Sequence, residues 1–477
     1  MRNLSLLVDY YELTMANSYF VNQRNELATF DLFFRNNPDR GGYAIMAGLQ
    51  QVIQYINELS FSDEDIAYLR SKDTFDEGFL NYLRNFEFTS TIYAIEEGTP
   101  IFPHEPVLRV TGPIIECQII ETMLLLTINH QSLIATKTSR IVHAAQGRSI
   151  MEFGSRRAQG YDAANFGARA AYIAGAVGTA NTLVDRLYKI PAIGTMAHSY
   201  VQSFETEYEA FLTYAKTYPK NTLLLVDTYS TLNSGVPNAI KVAKDYLEPH
   251  GYRLKGIRID SGDLAYLSKQ ARQMLDDAGL FDCQITASSS LDEYIIQDLI
   301  RQGAKIDSFG VGERLITSKS DSVFGGVYKL SALQENGEWI PKMKISDNIE
   351  KTTIPGNKML YRLFDQSNKA IADVITLEEE IIDENQPYLL FDPNFPWKQK
   401  LVENFKAVKL LKPIFVKGKQ VYHSPELKAI RNYCAEQLAT LWDEVKRFEN
   451  PHLYYVDYSQ ALWDLKQTLL TAFADEN

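Results

Sequence analysis

Six short apolar runs in the middle of the chain each end in a burst of polar residues. They are SIMEFGSRR (149–157), IPAIGTMAHS (190–199), TLLLVDTYS (222–230), LKGIRIDSGD (254–263), CQITASSS (283–290) and KIDSFGVGERL (305–315). The segments between them read as helices. In 291–303, Leu291, Tyr294, Ile295, Ile296, Leu299 and Ile300 leave a broad apolar face, and Gly303 stands where a C-cap belongs. Residues 264–279 repeat that design. Parallel strands need such crossovers, and a spacing of roughly 25–40 residues is that of βα units. The pattern predicts an irregular, TIM-like α/β barrel of parallel strands. It also predicts where a ligand sits, because in such sheets the C-terminal strand ends form the site.

The chain, at 477 residues, is too long for one ordinary domain. Before the runs, the pattern predicts a helix over 9–20, a strand over 28–35, a helix over 44–59, short strands within 92–111 and a helical stretch over 116–147. After residue 324 short strands return, and from Ser424 the chain reads as helix, with Ser424 as cap and Pro425 in the first turn. The expected plan is an α+β region from 1–115 that returns over about 325–420, an α/β barrel over 116–324, and C-terminal helices over 421–477.

A formal charge of −12 argues against nucleic-acid or anionic-membrane partners. It leaves anionic substrates open, since local arginines and backbone amides can outweigh the global field. Cys117, Cys283 and Cys434 lie far apart and show no zinc spacing, which suits a reducing compartment. The N-terminus turns acidic too early for a signal peptide, and no run of about 18 apolar residues suggests a membrane span. A cytoplasmic location is the expectation.

The strand ends carry the chemistry. His198 follows the second run and Asp227 ends the third. A carboxylate that fixes a histidine tautomer makes the other ring nitrogen a better nucleophile or base; alternatively, both residues cap their own loops. Arg258, Asp260, Ser261 and Asp263 form RIDSGD. This is either a tight turn capping the next helix or a clamp, with arginine for a phosphate or carboxylate and aspartate for sugar hydroxyls or a magnesium-bound water. Gly310 and Gly312, with Ser288 to Ser290 upstream, can expose amides to a phosphate or simply form a strand-to-loop turn. Phe153 and Arg156 offer an aromatic face and a cation to a flat anion, or else core packing and a surface charge. Tyr10 and Tyr11 read as helix packing unless they reach another subunit.

Together these residues resemble the nicotinate phosphoribosyltransferase family. The matching strings are VDYYELTMA (8–16), EFGSRRAQG (152–160), GTMAHS (194–199), RIDSGD (258–263), FGVGERL (309–315) and GGVYKL (325–330). The resemblance implies an irregular α/β barrel as catalytic domain combined with an α+β sandwich domain, assembled as a homodimer in which nicotinate displaces pyrophosphate from 5-phosphoribosyl-1-pyrophosphate, with ATP hydrolysis coupled through a phosphohistidine and Mg²⁺ as cofactor. It implies that His198 is phosphorylated, that Asp227 orients it, and that Phe153 stacks on nicotinate. Tyr11 would arrive from the second subunit to cover the other face. Arg156, Thr195 and Arg258 match substrate-contacting positions. Asp260, Ser288, Gly310, Gly312 and Thr317 fall where ribose and phosphates are expected, and no metal ligand is assigned. Related nicotinamide enzymes carry an aspartate that accepts from the amide; the stretch here is AVGTANT (176–182), with Ala180 at that place. The rival readings are a nicotinamide or quinolinate phosphoribosyltransferase, a non-catalytic metabolite sensor on the same scaffold, and a barrel lyase, which would lack an obvious Schiff-base lysine at the strand ends.

Overall fold

A computed structural model of the protein describes residues 3–346 and 351–476. The chain divides into two compact units, one of residues 1–133 with 323–477 and the other of residues 134–322. The boundary falls inside the helix Glu121–Ala144 rather than at 115/116. The C-terminal helices Leu427–Thr440 and Gln460–Glu476 group with the first unit instead of standing apart.

The first unit is built on an antiparallel sheet in the order Glu338–Pro341, Gly326–Glu335, Leu27–Phe34, Leu108–Pro113, Thr91–Ile95, Leu411–Val416 and Lys419–Gln420. A second sheet orders Lys406–Lys409, Lys358–Phe364, Ala370–Leu377 and Val456–Tyr458. The strand Leu27–Phe34 is buried along nearly its whole length, which is why LATFDLFF is mostly apolar rather than strictly alternating. One buried cluster takes residues from both sheets, among them Phe30, Val110, Leu360 and Val374. The helix expected from residue 44 begins only at Leu49, because Gly48 at φ 103° forms its cap and Ala44–Ile45 pair as a short strand. Ser424 does not cap the following helix: its N-cap is Glu426, without a side-chain cap bond.

A buried ion pair sits within the second sheet. Arg362 and Asp373 face each other across neighbouring strands, fully buried, with Nε to Oδ1 at 2.7 Å and Nη2 to Oδ2 at 2.5 Å. Tyr454 donates its hydroxyl to the same carboxylate at 2.9 Å, and its ring stacks on Phe102 at 3.8 Å. The guanidinium lies 5.3 Å from the Phe102 centroid and 5.7 Å from that of Tyr454.

The second unit holds six parallel strands in the order Gly178–Thr179, Ser149–Glu152, Ser308–Val311, Gln284–Ser288, Gly256–Ile259 and Leu223–Leu225. Val226, Ile257, Ile285 and Phe309 are fully buried, as expected of strands covered on both faces. The last strand in sequence pairs with the first, so the strands follow one another around a curled half-barrel. Five of the six apolar runs become these strands. The second run does not: residues 190–199 contribute only a bridge from Ala192 to Thr179. Pro191 lacks a ladder N–H, and the place in the sheet goes to Gly178–Thr179. The ladder therefore ends at Ala192 on one side and Leu223 on the other, leaving a seam between them.

Replacing Asp373 by Ala strands a buried guanidinium and a tyrosine hydroxyl. The expected loss of unfolding free energy is about 3–5 kcal/mol, measured by denaturant titration.

Candidate active site

The site residues of the second unit gather at the C-terminal strand ends. His198 opens the short helix His198–Gln202 beside the seam. Its Nδ1 lies 3.1 Å from the Thr228 hydroxyl, and its Nε2 lies 3.8 Å from Asp260 Oδ2. The second distance is beyond a hydrogen bond but within reach of an ion pair when the ring is protonated. The sequence-based expectation was that Asp227 orients the ring. Here Asp227 Oδ2 instead accepts from the Asp260 amide at 3.0 Å and the Ser261 hydroxyl at 2.5 Å. The reason is local: the strands Leu223–Leu225 and Gly256–Ile259 are neighbours, and the open turn after Ile259 presents donors to the nearest carboxylate. Asp227 Oδ1 is buried without a hydrogen-bond partner.

Asp260 continues the chain of contacts by accepting from the Ser288 hydroxyl. Asp263, the last residue of RIDSGD, caps the helix Leu264–Asp277 through the Tyr266 amide at 3.0 Å. The turn-and-cap reading of that motif therefore holds at Asp263. Arg258 reaches from its strand to the segment before His198, donating to Thr195 Oγ1 at 3.2 Å and to the Met196 carbonyl at 3.1 Å. Its Nε is buried and unpaired. Burial holds the guanidinium pKa below the usual arginine range; the charges of Asp260 and Asp227 oppose that shift and Arg156 adds to it. Arg156 itself is exposed on the turn Ser155–Arg157.

Phe153 follows the strand Ser149–Glu152, and its amide donates to the Val311 carbonyl at 2.8 Å. The ring lies against Gly310, where an added Cβ would stand 2.4 Å from Cδ2 and 2.5 Å from Cε2. Gly310 is thus needed for close approach rather than for its backbone angles. Gly310 and Ser288 are register partners on neighbouring strands, so the Phe153 ring and the Asp260–Ser288 contact belong to one constellation. Ser289 and Ser290 both take positive φ, 101° and 47°, turning the chain sharply after that strand. Gly312 caps the short helix Glu313–Ile316. Thr317 follows that helix, and its hydroxyl donates to the Glu313 carbonyl at 2.8 Å rather than to another site residue. Tyr11 lies in the first unit on the helix Tyr10–Val21 and is 48% exposed. Its phenol is pushed up to about 12, first by burial and then by Glu121, Glu12 and Asp9.

Three residues here carry no role in the sequence reading: Thr228, Glu152 and Thr179. Thr228 stands one position beyond Asp227 and supplies the partner of His198, while Ser261 of RIDSGD supplies the partner of Asp227. Glu152 and Thr179 are fully buried, and the Thr179 hydroxyl donates to Glu152 Oε2 at 2.6 Å. Burial raises the Glu152 carboxyl pKa. The signal was present as Ser, Thr or Glu flanking each motif, yet spacing alone does not choose among neighbours. The first unit contains cavities of about 680 and 980 Å³, both touching Lys400, Arg447, His452, Tyr454 and Tyr455. None of the sequence-derived site residues lines them.

Among the described residues no group of three His, Cys, Asp or Glu side chains is arranged to hold a metal ion, and no helix is long and apolar enough to cross a membrane.

Three family profiles match: the nicotinate phosphoribosyltransferase (NAPRTase) N-terminal domain at residues 6–129, the NAPRTase family at 148–386, and the NAPRTase C-terminal domain at 357–466. The nicotinate phosphoribosyltransferase of Bacillus subtilis (strain 168) is 45% identical, over 97% of this chain and 94% of its own. The chain belongs to the nicotinate phosphoribosyltransferase family. The Homo sapiens nicotinate phosphoribosyltransferase is 30% identical over 97% of this chain and 96% of its own. A crystal structure of human nicotinic acid phosphoribosyltransferase superposes with a TM-score of 0.85 at 29% identity, covering 98% of this chain and 100% of that one. A Pyrococcus furiosus nicotinate-nucleotide pyrophosphorylase structure shares the fold, with a TM-score of 0.71 at 23% identity over 91% of this chain and 95% of its own.

Substituting Ala for Gly310 drives a methyl group into the Phe153 ring. The ring must move, at a cost of about 1–3 kcal/mol in unfolding free energy. Turnover should fall more than the stability loss alone explains, measured by denaturant titration beside a product assay.

Proposed function

We propose that this chain joins nicotinate to the phosphoribosyl group of 5-phosphoribosyl-1-pyrophosphate, releasing pyrophosphate, and couples the step to ATP hydrolysis through phosphorylation of His198. The observation that carries the reading is the strand-end constellation in which Phe153 on Gly310 adjoins the Ser288–Asp260–His198 contacts. It stands in a chain whose relatives of that name match it from end to end.

The residues divide the work. The Phe153 ring offers a face to the pyridine, and Arg156 and Arg258 offset the charge of anionic substrates. Asp260 suits the ribose hydroxyls, while the amides after Ser288 and around Gly310 and Gly312 suit the phosphate. In the reaction the pyridine nitrogen bonds to the ribose anomeric carbon as the bond to pyrophosphate breaks, and pyrophosphate leaves with the electron pair. Mg²⁺ belongs to this reading: it usually binds through one or two carboxylates plus substrate phosphates. The buried, unpartnered Asp227 oxygen and the half-exposed Asp260 carboxylate fit that requirement. When bound, the ion would neutralise charge on the departing pyrophosphate.

Phosphorylation moves the γ-phosphoryl group of ATP to a His198 ring nitrogen, with ADP leaving, and water later cleaves the N–P bond. The added negative charge lies beside Asp260 and Thr228 and so bears on the turn that Asp227 and Ser261 hold together. Nicotinate rather than nicotinamide is the substrate, because Ala180 at the end of its strand places no acid against a ligand carboxylate. The reading includes a homodimer in which Tyr11 is supplied by a second copy, an assignment its partial exposure permits. A cytoplasmic location belongs to it as well, in keeping with three buried, unpaired cysteines.

One assay tests the whole reading. The wild type and His198→Ala are incubated with phosphoribosyl pyrophosphate and Mg²⁺, with nicotinate or nicotinamide, with and without ATP, and the nucleotide is identified. The wild type should form nicotinate mononucleotide, stimulated by ATP, and the variant should lose the stimulation. Absence of nicotinate mononucleotide under every condition removes the reading, and full ATP stimulation in His198→Ala removes the phosphohistidine.

A further inference from the structure

The fully buried carboxylate of Glu152 has no part in the chemistry above, yet it sits immediately before the ring that stacks on nicotinate. Both its oxygens are engaged by neutral donors. Gly154 N–H donates to Oε1, so the side chain closes the turn around Phe153, and the Thr179 hydroxyl donates to Oε2. Glu152 and Thr179 are register partners on neighbouring parallel strands, and the Ala180 amide donates to the Glu152 carbonyl at 2.8 Å.

Each end of this contact is fixed further. Gly154 leaves no room for a side chain: a Cβ there would stand 2.5 Å from Ile316 Cβ and 2.8 Å from the Gly312 carbonyl oxygen. On the other side, Thr179 Oγ1 accepts from the Asn181 amide at 3.1 Å. Asn181 in turn caps the helix Thr182–Tyr188 through the Leu183 amide at 3.1 Å and donates to Asn165 at 2.9 Å. A single hydroxyl thus ties the support of the Phe153 ring to the bend carrying Ala180. A purely structural strand end would be served by an apolar pair, since a buried carboxylate is costly without its donors.

We propose that Glu152 and Thr179 form a positioning pair that sets the affinity of the site for the pyridine ring by fixing Phe153 relative to Ala180. The inference rests on the reading that Phe153 stacks on nicotinate. Neither residue touches the reacting atoms, and the side chain they hold in place is the Phe153 ring, so their loss acts first on ring binding.

The test is a substrate-resolved kinetic series on the full-length protein. Thr179→Val keeps the volume and removes both the donor to Glu152 and the acceptor for Asn181. It should raise the KM for nicotinate about tenfold, which is about 1.4 kcal/mol, the size expected where the lost hydrogen bonds to Glu152 and Asn181 act on the ring only through its support. The KM for phosphoribosyl pyrophosphate and kcat should stay within about twofold, well below that effect. Thr179→Ser, which restores the hydroxyl, should restore the nicotinate KM. Glu152→Gln should give the same split, and it keeps the test available if Thr179→Val does not fold. A nicotinate KM unchanged in both Thr179→Val and Glu152→Gln overturns the proposal, as does a parallel rise in both substrates' KM or failure of Thr179→Ser to restore binding. A wild type that forms no mononucleotide removes the functional reading and this inference with it; an active wild type with unaffected variants removes this inference alone.

Discussion

The pairing of the first parallel strand with the last is the contact on which the catalytic unit depends. Ser149–Glu152 lies beside Ser308–Val311, with Ser149 opposite Ser308 and Glu152 opposite Val311. That register carries the chain beyond Glu152 directly over Gly310, and a slip of one residue would turn every side chain to the other face. Apart from Gly178–Thr179 and Leu223–Leu225, which stand at the two edges, consecutive strands are neighbours in space, and the long-range pair of first and last strands joins the two runs into one parallel sheet with its polar strand ends on one side.

The curl leaves a seam, and His198 stands beside it. Strand hydrogen bonds do not join Ala192 to Leu223; side chains make the connection instead. Arg258 fastens Thr195 and Met196, and Thr228 meets His198 from the far side. A segment held by three side-chain hydrogen bonds can reorganise at smaller cost than one held in a ladder. That is the physical basis on which the proposed phosphorylation of His198 would act on the neighbouring turn. The buried groups left without partners here, Asp227 Oδ1 and Arg258 Nε, belong to a site shaped for a polar occupant.

Much of this was legible in the sequence. Period and crossover length gave five of the six strands, and the polar ends gave the side on which the site lies. The second run failed because an apolar stretch containing Pro191 resembles a strand but cannot complete a ladder, while the two residues Gly178 and Thr179 are too few to register as one. The partner of His198 was misplaced by a single residue, from Asp227 to Thr228. Spacing identifies strand ends, but the pleat decides which neighbour points where. Glu152 was invisible for a related reason: a buried carboxylate in an apolar run reads as a surface position until its donors are seen. The first unit's ion pair, Arg362 with Asp373, depends on a register that no local pattern encodes.

In the proposed reaction one set of strand ends holds both halves of the product. The most direct measurement is a crystal structure of the chain grown with nicotinate mononucleotide. The pyridine ring is expected on the Phe153 face and the phosphate at the amides following Ser288 and around Gly310 and Gly312. A nucleotide bound in the first unit, or with its phosphate away from those amides, would contradict it.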